Sequence, residues 1–198
     1  NILLKLGQLG EAALSAERVL ARDPDNADAH CNLAHACINQ GQTGRGLKHM
    51  FSAVDAQVSD ADIFVSVAAV SDYRPEAHQT QKIKKHAASF KLELVRTPDI
   101  LATVAGRSSP PFTVGFAAET DEPVAQARRK LEAKKVDLMV ANQVGGENSP
   151  FGRDDNALIL IESQGETDLG RGSKQALAQC LVREIASRYH AKYSAPGS

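Results

Sequence analysis

Residues 61–85 read ADIFVSVAAVSDYRPEAHQTQKIKK, and the fold that we predict is built around them. Its first part, residues 63–70, is an apolar run that ends at a polar Asp-Tyr-Arg-Pro turn. A central strand of a parallel sheet has this pattern, and open α/β sheets place their ligands at the carboxyl ends of such strands. Lys82, Lys84 and Lys85 follow closely, so we expect the ligand to be an anion.

Length and composition limit the class of protein. The chain has 198 residues, enough for one α/β domain with a small appendage, and its 23 basic and 24 acidic residues favour neither nucleic acid nor a membrane surface as a partner. Three cysteines form no disulfide framework and suit a reducing cytoplasm. No apolar run approaches the roughly 20 residues that span a bilayer. Because the sequence begins at Asn1 without a methionine or a signal peptide, we expect its true start to lie elsewhere.

Residues 1–49 are predicted to form a small helical domain. Small and apolar residues recur at helical spacing over residues 11–21 and again over residues 27–40. Their series resembles the tetratricopeptide repeat (TPR), whose period is about 34 residues; it comprises Ala12, Ala16, Val19, Pro24, Leu33, Ala34 and Gly41. Only about one and a half repeats are present, so a generic helical hairpin is the alternative. A TPR-like segment offers a surface for a protein partner.

Histidine and cysteine concentrate in the second of these helices, as His30, Cys31, His35 and Cys37. Cys31 and His35 are four residues apart and share a helix face, which is a spacing that a metal site uses. The other pair does not complete that face, and small cysteine side chains are frequent where helices pack. We therefore predict a structural role for these residues.

The remainder of the chain alternates helices and strands, as a parallel α/β domain does. We predict helices over residues 47–58, 97–107, 124–135 and 173–189, and strands over residues 63–70, 91–95, 112–118, 137–142 and 157–162. The predicted fold class is α/β, a Rossmann-like domain over residues 50–190 whose mainly parallel sheet is flanked by helices. The TPR-like segment, residues 1–49, precedes it, and residues 191–198 form a flexible tail.

Three local features of this domain favour an anionic ligand. Thr97 stands where a helix N-cap belongs and Pro98 in the first turn, so free backbone amides there form a plausible phosphate seat. Gly115, within a buried strand, lets a ligand or a neighbouring backbone approach closely. Lys130 and Lys134 belong to a basic cluster that either binds phosphate or is solvated charge that complements the helix dipole.

Six motifs stand in one order along the chain: AAVSDYRP at 68–75, KIKK at 82–85, TPDIL at 97–101, VGFAAET at 114–120, Lys130 with Lys134, and Asp155-Asn156. Together they resemble the motifs of phosphopantothenoylcysteine synthetase, also called phosphopantothenate-cysteine ligase. That family forms the ligase half of the bifunctional bacterial coenzyme A biosynthesis protein. The resemblance covers about residues 47–189, and six motifs in register are far more specific than any one of them.

The resemblance implies a reaction and its cofactor. Such a ligase activates the carboxylate of 4'-phosphopantothenate with CTP, which gives an acyl-cytidylate and pyrophosphate, and the amine of cysteine then attacks. Mg²⁺ is expected with CTP because it prefers carboxylate and phosphate oxygens, and Asp72 and Asp99 are equal candidates to help hold it. The flavin-binding half of the family is missing, so FMN is not expected. The family also implies a homodimer in the cytoplasm.

The resemblance also implies the residues of the site. The nucleotide-binding residues are expected to be Asp72, Lys82, Thr97, Pro98, Asp99, Ile100, Phe116, Lys130 and Lys134. Lys82 is expected to be catalytic as well, because the family associates the first lysine of this motif with conversion of the acyl-cytidylate into product. A cation there would stabilise the developing oxyanion or neutralise the departing CMP. Without the resemblance, Lys82 reads as a solvated loop lysine.

The chain departs from the family at its beginning. Family members start this domain with a strand, a Gly-Pro-Thr-Arg-Glu turn and a segment whose asparagine holds the acyl-cytidylate, whereas this sequence has repeat-like helices at 1–49. We therefore expect the sheet to lack a central strand. The nucleotide site should be largely kept, and the complete ligation should be impaired.

Two other function classes are weighed against the ligase. A protein-interaction module would use the TPR-like helices, with the α/β part as a non-catalytic scaffold. A dehydrogenase is disfavoured, because no G-x-G-x-x-G motif follows a first strand and no acidic residue lies about 20 positions beyond it. The sequence also has neither a P-loop nor the G-x-S-x-G elbow of serine hydrolases.

Overall fold

The computed structural model describes residues 2–67, 70–76, 91–145 and 152–194. The chain divides into two compact units. The first, called the helical unit here, comprises Asn1–Asp60 and Ala69–Ile100. The second, called the sheet unit, comprises Ala61–Ala68 and Leu101–Ser198.

The described residues form helices and strands in the following order. The helices are α1 (Ile2–Lys5), α2 (Leu9–Leu20), α3 (Ala27–Asn39), α4 (Thr43–Val58), α5 (Ile100–Ala105), α6 (Pro123–Lys134) and α7 (Lys174–Tyr193). The strands are β1 (Ile63–Ser66), β2 (Tyr73–Pro75), β3 (Leu94–Arg96), β4 (Phe112–Glu119), β5 (Leu138–Gln143), β6 (Asp155–Glu162) and β7 (Gly165–Ser173).

The helical unit packs through small side chains, as the TPR-like series predicts. Ala16 of α2 joins Ala29, Leu33 and Cys37 of α3 in a buried cluster. The side chain of Asn26 caps α3, because its Oδ1 accepts a hydrogen bond from the Ala29 amide at 2.9 Å. Cys37 is buried, as the predicted structural role requires, whereas Cys31 and His35 are exposed and take no part in this packing.

Gly46 sets how closely α4 approaches α3. A Cβ atom at this position would lie 2.5 Å from Cγ1 of Ile38 and 2.9 Å from the carbonyl oxygen of Ala34. A backbone oxygen cannot move aside as a flexible side chain can, so the crossing of the two helices requires glycine. The ribbon of β2 and β3 completes the helical unit as an antiparallel pair, in which Tyr73 lies opposite Arg96.

The sheet unit has a five-stranded sheet in the order β1-β4-β5-β6-β7. β1, β4 and β5 are parallel, and β6 and β7 extend the sheet as antiparallel strands. The predicted Rossmann-like α/β fold with a mainly parallel sheet and flanking helices is confirmed. The antiparallel pairing of β6 and β7 was not predicted from the sequence.

Helices cover both faces of this sheet. On one face, Leu177, Leu181 and Ile185 of α7 pack on Phe112, Val114, Leu138, Val140, Leu158 and Leu160. On the other face, α5 and α6 contribute Leu101, Ala127 and Leu131, which pack with Ala117, Met139, Ala141 and Ile161. Because consecutive residues of a strand point to opposite faces, the apolar runs of β4 and β5 fill both layers.

The structure corrects several details of the prediction. The strand predicted over residues 63–70 ends at Ser66, and within the described sheet β1 lies at the edge rather than at the centre. Val65 and Val67 are 40% and 63% exposed, so an apolar run did not by itself mean a strand buried on both faces. β7 was not predicted, because its sequence GETDLGRGS offers almost no apolar residue to form a pattern. Helix α7 extends to Tyr193, beyond the predicted end at Tyr189.

Gly115 has a different neighbour from the one predicted. A Cβ atom there would lie 2.6 Å from Cδ2 of Leu101 and 2.9 Å from Sδ of Met139. The space above this glycine is therefore occupied by core side chains of α5 and β5, and not by a neighbouring backbone. Its role is to let α5 approach the sheet.

Two histidines link α3 to α4 in the helical unit. Nε2 of His30 lies 2.9 Å from the carbonyl oxygen of Pro24, so this nitrogen donates and Nδ1 of His30 is left as an acceptor. Nδ1 of His49 lies 3.0 Å from that acceptor, and the two rings stack with centroids 5.2 Å apart. Burial lowers the pKa of His49, His30 and Arg45 lower it further, and Glu17 opposes them.

We predict that the helical unit loses stability as the pH falls. The pKa of His49 is lower in the folded protein than its ordinary value of 6.5, so below that pH the unfolded chain binds more protons than the folded chain. The free energy of unfolding, measured by urea titration at about pH 7.5 and about pH 5.5, should fall towards the acid side. His49→Gln should reduce this pH dependence, whereas His35→Gln, at an exposed position of α3, should leave it unchanged. Equal pH dependence in the wild type and His49→Gln would contradict the assignment.

Candidate functional site

The carboxyl ends of the two innermost parallel strands lie side by side in the sheet unit. Ala118 pairs with Asn142, and Glu119 pairs with Gln143. The carbonyl oxygen of Glu119 accepts a hydrogen bond from the Val144 amide at 2.8 Å, so the pairing continues just past the end of β5. This carboxyl edge is where open α/β sheets bind their ligands.

Helix α6 begins immediately after this edge and brings a cation back to it. Ala127 and Leu131 bury one face of α6 against the sheet. Nζ of Lys130 lies 2.6 Å from Oε1 of Glu119. Helical side chains lean towards the amino end of their helix, which explains how Lys130 reaches the end of β4. Lys134 lies one turn further from that end of α6 and is half-buried.

Phe116 lies on β4, three residues before its end. It pairs in register with Val140 and packs on the core layer that α7 covers, where it is half-buried. The same aromatic ring therefore contributes to the core while part of its surface stays accessible. That position fits a predicted contact with a nucleotide but does not test it.

In the helical unit, the structure brings Asp72 and Thr97 together. The amide of Thr97 donates a hydrogen bond to the carbonyl oxygen of Asp72 at 2.8 Å, which extends the ladder of β2 and β3 by one pair. Oγ1 of Thr97 is buried, and it has no hydrogen-bond partner among the described residues. A buried hydroxyl of this kind is expected to have a hydrogen-bond partner, because a buried polar group without one costs about 1–3 kcal/mol of stability.

The predicted N-cap role of Thr97 is wrong. Helix α5 begins at Ile100, so Thr97 lies three residues before it and Pro98 is outside the first turn. Pro98 and Asp99 are exposed and join β3 to α5. The extended ladder between Asp72 and Thr97 holds the chain away from helical geometry at this point.

The expected site residues fall in both units or outside the described residues. Asp72, Thr97, Pro98, Asp99 and Ile100 belong to the helical unit, and Phe116, Lys130 and Lys134 belong to the sheet unit. Lys82 lies within residues 77–90, outside the described residues, so its assignment as a catalytic residue stays a prediction.

Asp155 forms ion pairs with two arginines, and these were not predicted from the sequence. Its Oδ1 accepts a hydrogen bond from Nε of Arg153 at 2.9 Å, and its Oδ2 accepts one from Arg171 at 2.7 Å. Hydrogen bonds from Arg171 and then from Arg153 hold the pKa of Asp155 below its usual range. Because β6 runs antiparallel to β5, Asp155 begins at the same edge where β5 ends. Arg171 was missed because it lies on the unpredicted β7.

A polar pocket of about 360 Å³ lies at the opposite, amino edge of the parallel strands, between the turn after β6 and the end of α7. Its cations already have partners: Nε of Arg188 lies 3.0 Å from Oε1 of Glu162, and Nζ of Lys192 lies 2.6 Å from Oδ1 of Asp137. Oδ2 of Asp137 accepts from the amide of Thr113 at 2.9 Å. These contacts fasten α7 to the sheet, so we assign the pocket no anion.

The described ranges contain neither a metal-binding cluster nor a helix that could cross a membrane. His, Cys, Asp and Glu side chains there form no group of three or more that could hold a metal ion. Among the helices described, none combines the length and the apolar character that a membrane crossing requires.

Comparisons with known proteins agree with the motif order. A family model described as the DNA/pantothenate metabolism flavoprotein C-terminal domain matches residues 37–189, and a tetratricopeptide repeat model matches residues 3–64. The coenzyme A biosynthesis bifunctional protein CoaBC of Vibrio vulnificus strain CMCP6 is 42% identical over 182 residues, which are 89% of this chain and 44% of that protein. CoaBC of Escherichia coli strain K12 is 40% identical over 147 residues, 72% of this chain and 36% of that protein.

Two solved structures are similar to this chain in fold. The C-terminal domain of a CoaBC protein has a TM-score of 0.55 and 28% identity, and the match covers 71% of this chain and 63% of that one. The DNA/pantothenate metabolism flavoprotein of Streptococcus pneumoniae has a TM-score of 0.57 at 21% identity and covers 71% and 69%, which supports the fold alone. The chain spans less than half of the length of the CoaBC relatives it matches.

Proposed function

The chain belongs to the family of the DNA/pantothenate metabolism flavoprotein C-terminal domain, and from this we propose that it is a CTP-dependent phosphopantothenate-cysteine ligase domain acting in coenzyme A biosynthesis. The observation that carries the proposal is the placement of Lys130 at the carboxyl edge of β4, held there by Glu119. The substrates would be CTP, 4'-phosphopantothenate and cysteine.

The proposed chemistry needs positive charge near several phosphates. A triphosphate and a phosphorylated substrate repel each other, and cations offset this repulsion as charge accumulates in the transition state. In the proposal, Lys130 and Lys134 contact phosphate oxygens. Thr97, in the helical unit, stays a predicted nucleotide residue, and its buried hydroxyl has no partner among the described residues.

Mg²⁺ is the proposed cofactor, and its role would be to neutralise part of the triphosphate charge when bound. Asp72 and Asp99 supply the oxygen donors that this ion prefers, and both are exposed. The hydrogen bond between Asp72 and Thr97 keeps Asp72 near the segment that contains Asp99. The residues present therefore fit the ion.

The ligation step is proposed to depend on Lys82 and to be impaired in this polypeptide. Residues 1–49 hold helices where the family has a strand and the turn that contacts the substrate. Within the described residues β1 is an edge strand, and Val65 on it and Val67 just after it are exposed, which supports the proposal of a missing strand on that side. We propose that nucleotide binding is kept and that complete turnover is slow.

The setting and the partners are proposed from the same resemblance. A homodimer follows from the family, and a reducing cytoplasm is supported by Cys31, Cys37 and Cys180, which form no disulfide.

A second candidate function is peptide binding by the helical unit. The TPR model matches this part of the chain, and a groove of about 300 Å³ lies along α1, α2 and α3. Apolar residues such as Leu3, Ala16 and Val19 line it beside the polar Asn26 and Asn32. Such a groove can take a peptide, in which case the sheet unit would be a scaffold that binds no nucleotide.

The first test is the binding of CTP. Isothermal titration with CTP and Mg²⁺ should show binding to the wild type, and Lys130→Gln should weaken it about tenfold or more, because a hydrogen bond between charged groups is lost. Arg129→Gln is the matched control: it removes a cation from the same helix, but Arg129 is exposed and lies 4.0 Å from Glu122. An absence of heat with the wild type, or an equal effect of both substitutions, would contradict the proposal and favour the scaffold.

The second test separates the two half-reactions. In a single turnover with excess protein, Lys82→Gln should still release pyrophosphate but form phosphopantothenoylcysteine on the order of a hundredfold more slowly, because one charge on the developing oxyanion or leaving group is lost. Lys84→Gln, two residues away in the same motif, is the control and should keep the wild-type ratio of the two products. Formation of the cysteine adduct at the wild-type rate in Lys82→Gln would show that the assigned role is wrong.

A further inference from the structure

We propose that Glu119 is a positioning residue of the nucleotide site: it holds the ammonium group of Lys130 at the carboxyl edge of the sheet, ready for a phosphate. The inference rests on the proposed function and adds a residue that the resemblance gives no role. Glu119 itself need not touch the nucleotide.

The backbone of Glu119 has a fixed place. It is the last residue of β4, it pairs with Gln143, and its carbonyl oxygen accepts the Val144 amide at 2.8 Å. Its side chain is only 19% exposed. A carboxylate that is attached to a buried strand and largely enclosed offers a steady anchor at the end of the sheet.

The contact between the two side chains is carried by charge. Nζ of Lys130 lies 2.6 Å from Oε1 of Glu119, yet Oε1 is buried and the approach does not meet hydrogen-bond geometry. A glutamine at this position would keep the shape and lose the attraction. The ammonium has three N–H donors, and the side chain of Lys130 is 44% exposed, so donors stay available to an incoming phosphate.

Two opposite effects of Glu119 on nucleotide affinity have to be compared. Its negative charge repels phosphates, but the ammonium of Lys130, 2.6 Å from Oε1, offsets much of that charge. Its hold on Lys130 removes rotamer freedom before binding, and lysine otherwise loses more of this freedom than most residues. We infer that positioning outweighs repulsion. Protein kinases use the same principle, since a glutamate on a neighbouring helix holds the lysine that contacts the ATP phosphates.

The first measurement needs no nucleotide. In protein labelled with ¹³C at the lysine Cε, relaxation should show that the Cε of Lys130 is more restricted than that of an ordinary surface lysine. Glu119→Gln should make it as mobile as the others, and Glu122→Gln, which removes an exposed carboxylate at the start of the same helix, should not. A Lys130 side chain that is already as mobile as the other surface lysines in the wild type overturns the inference.

The second measurement is a double-mutant cycle with Mg²⁺ and CTP in isothermal titration. Glu119→Gln should weaken binding about threefold to tenfold in the wild-type background, which is the effect of ordering one long side chain at a binding site. In a Lys130→Gln background the same substitution should have no effect or should strengthen binding, since only repulsion is then removed. Glu122→Gln should leave the affinity unchanged.

The alternative outcomes are distinct. Tighter binding of Glu119→Gln in both backgrounds means that Glu119 only repels the nucleotide, and weaker binding in both means that it only supports the fold; either result overturns the inference and leaves the proposed function standing. A wild type that binds no CTP, although Glu119 restricts Lys130, overturns the proposed function and the inference with it.

Discussion

The burial of β4 on both faces is the constraint on which the sheet unit depends. Val114 and Phe116 face the layer that α7 covers, while Gly115 and Ala117 face α5 and α6. A strand enclosed in this way cannot slip by one residue, because every side chain would then point to the wrong layer. Its last residue, Glu119, is therefore fixed in place, and so is the cation that Glu119 holds.

The two ends of the sheet carry different chemistry because of this arrangement. At the amino edge, Asp137 accepts hydrogen bonds from Thr113 and forms an ion pair with Lys192. This ion pair holds α7 to the sheet. At the carboxyl edge, Lys130 pairs with a carboxylate and still exposes much of its side chain. The proposed ligand site therefore lies at the end of the strands opposite to the contacts that fasten α7, and open α/β sheets bind their ligands at this carboxyl end.

The sequence predicted the elements whose residues have a strong pattern and missed those that do not. The runs of β4 and β5 are apolar on both faces, and α6 and α7 have apolar stripes, so their positions followed from periodicity. β7 has no such pattern and forms because β6 offers it an edge. The edge position of β1 could not be read from residues 63–66, because an apolar run does not say how many neighbours a strand has.

The site was predictable to the same degree. Motif order selected Lys130, Phe116 and Thr97 as candidate site residues, and these assignments stay predictions. Their contacts required coordinates, since Glu119 lies eleven residues before Lys130 and on a different element. The N-cap predicted at Thr97 was wrong, because the hydrogen bond between the Thr97 amide and the Asp72 carbonyl keeps Thr97 in an extended conformation. Local rules name the residues that carry chemistry, and the tertiary pairing decides which atoms meet.

A map of backbone amide chemical shifts during the addition of Mg²⁺ and CTP locates the nucleotide on the sheet unit. If the nucleotide binds at the carboxyl edge, the shifts should concentrate at Glu119, Thr120 and Val144, while amides around Glu162 and Thr167 at the amino edge stay unchanged. Shifts confined to the amino edge, or spread evenly over the surface, would contradict the assignment of the nucleotide to the carboxyl ends of the parallel strands.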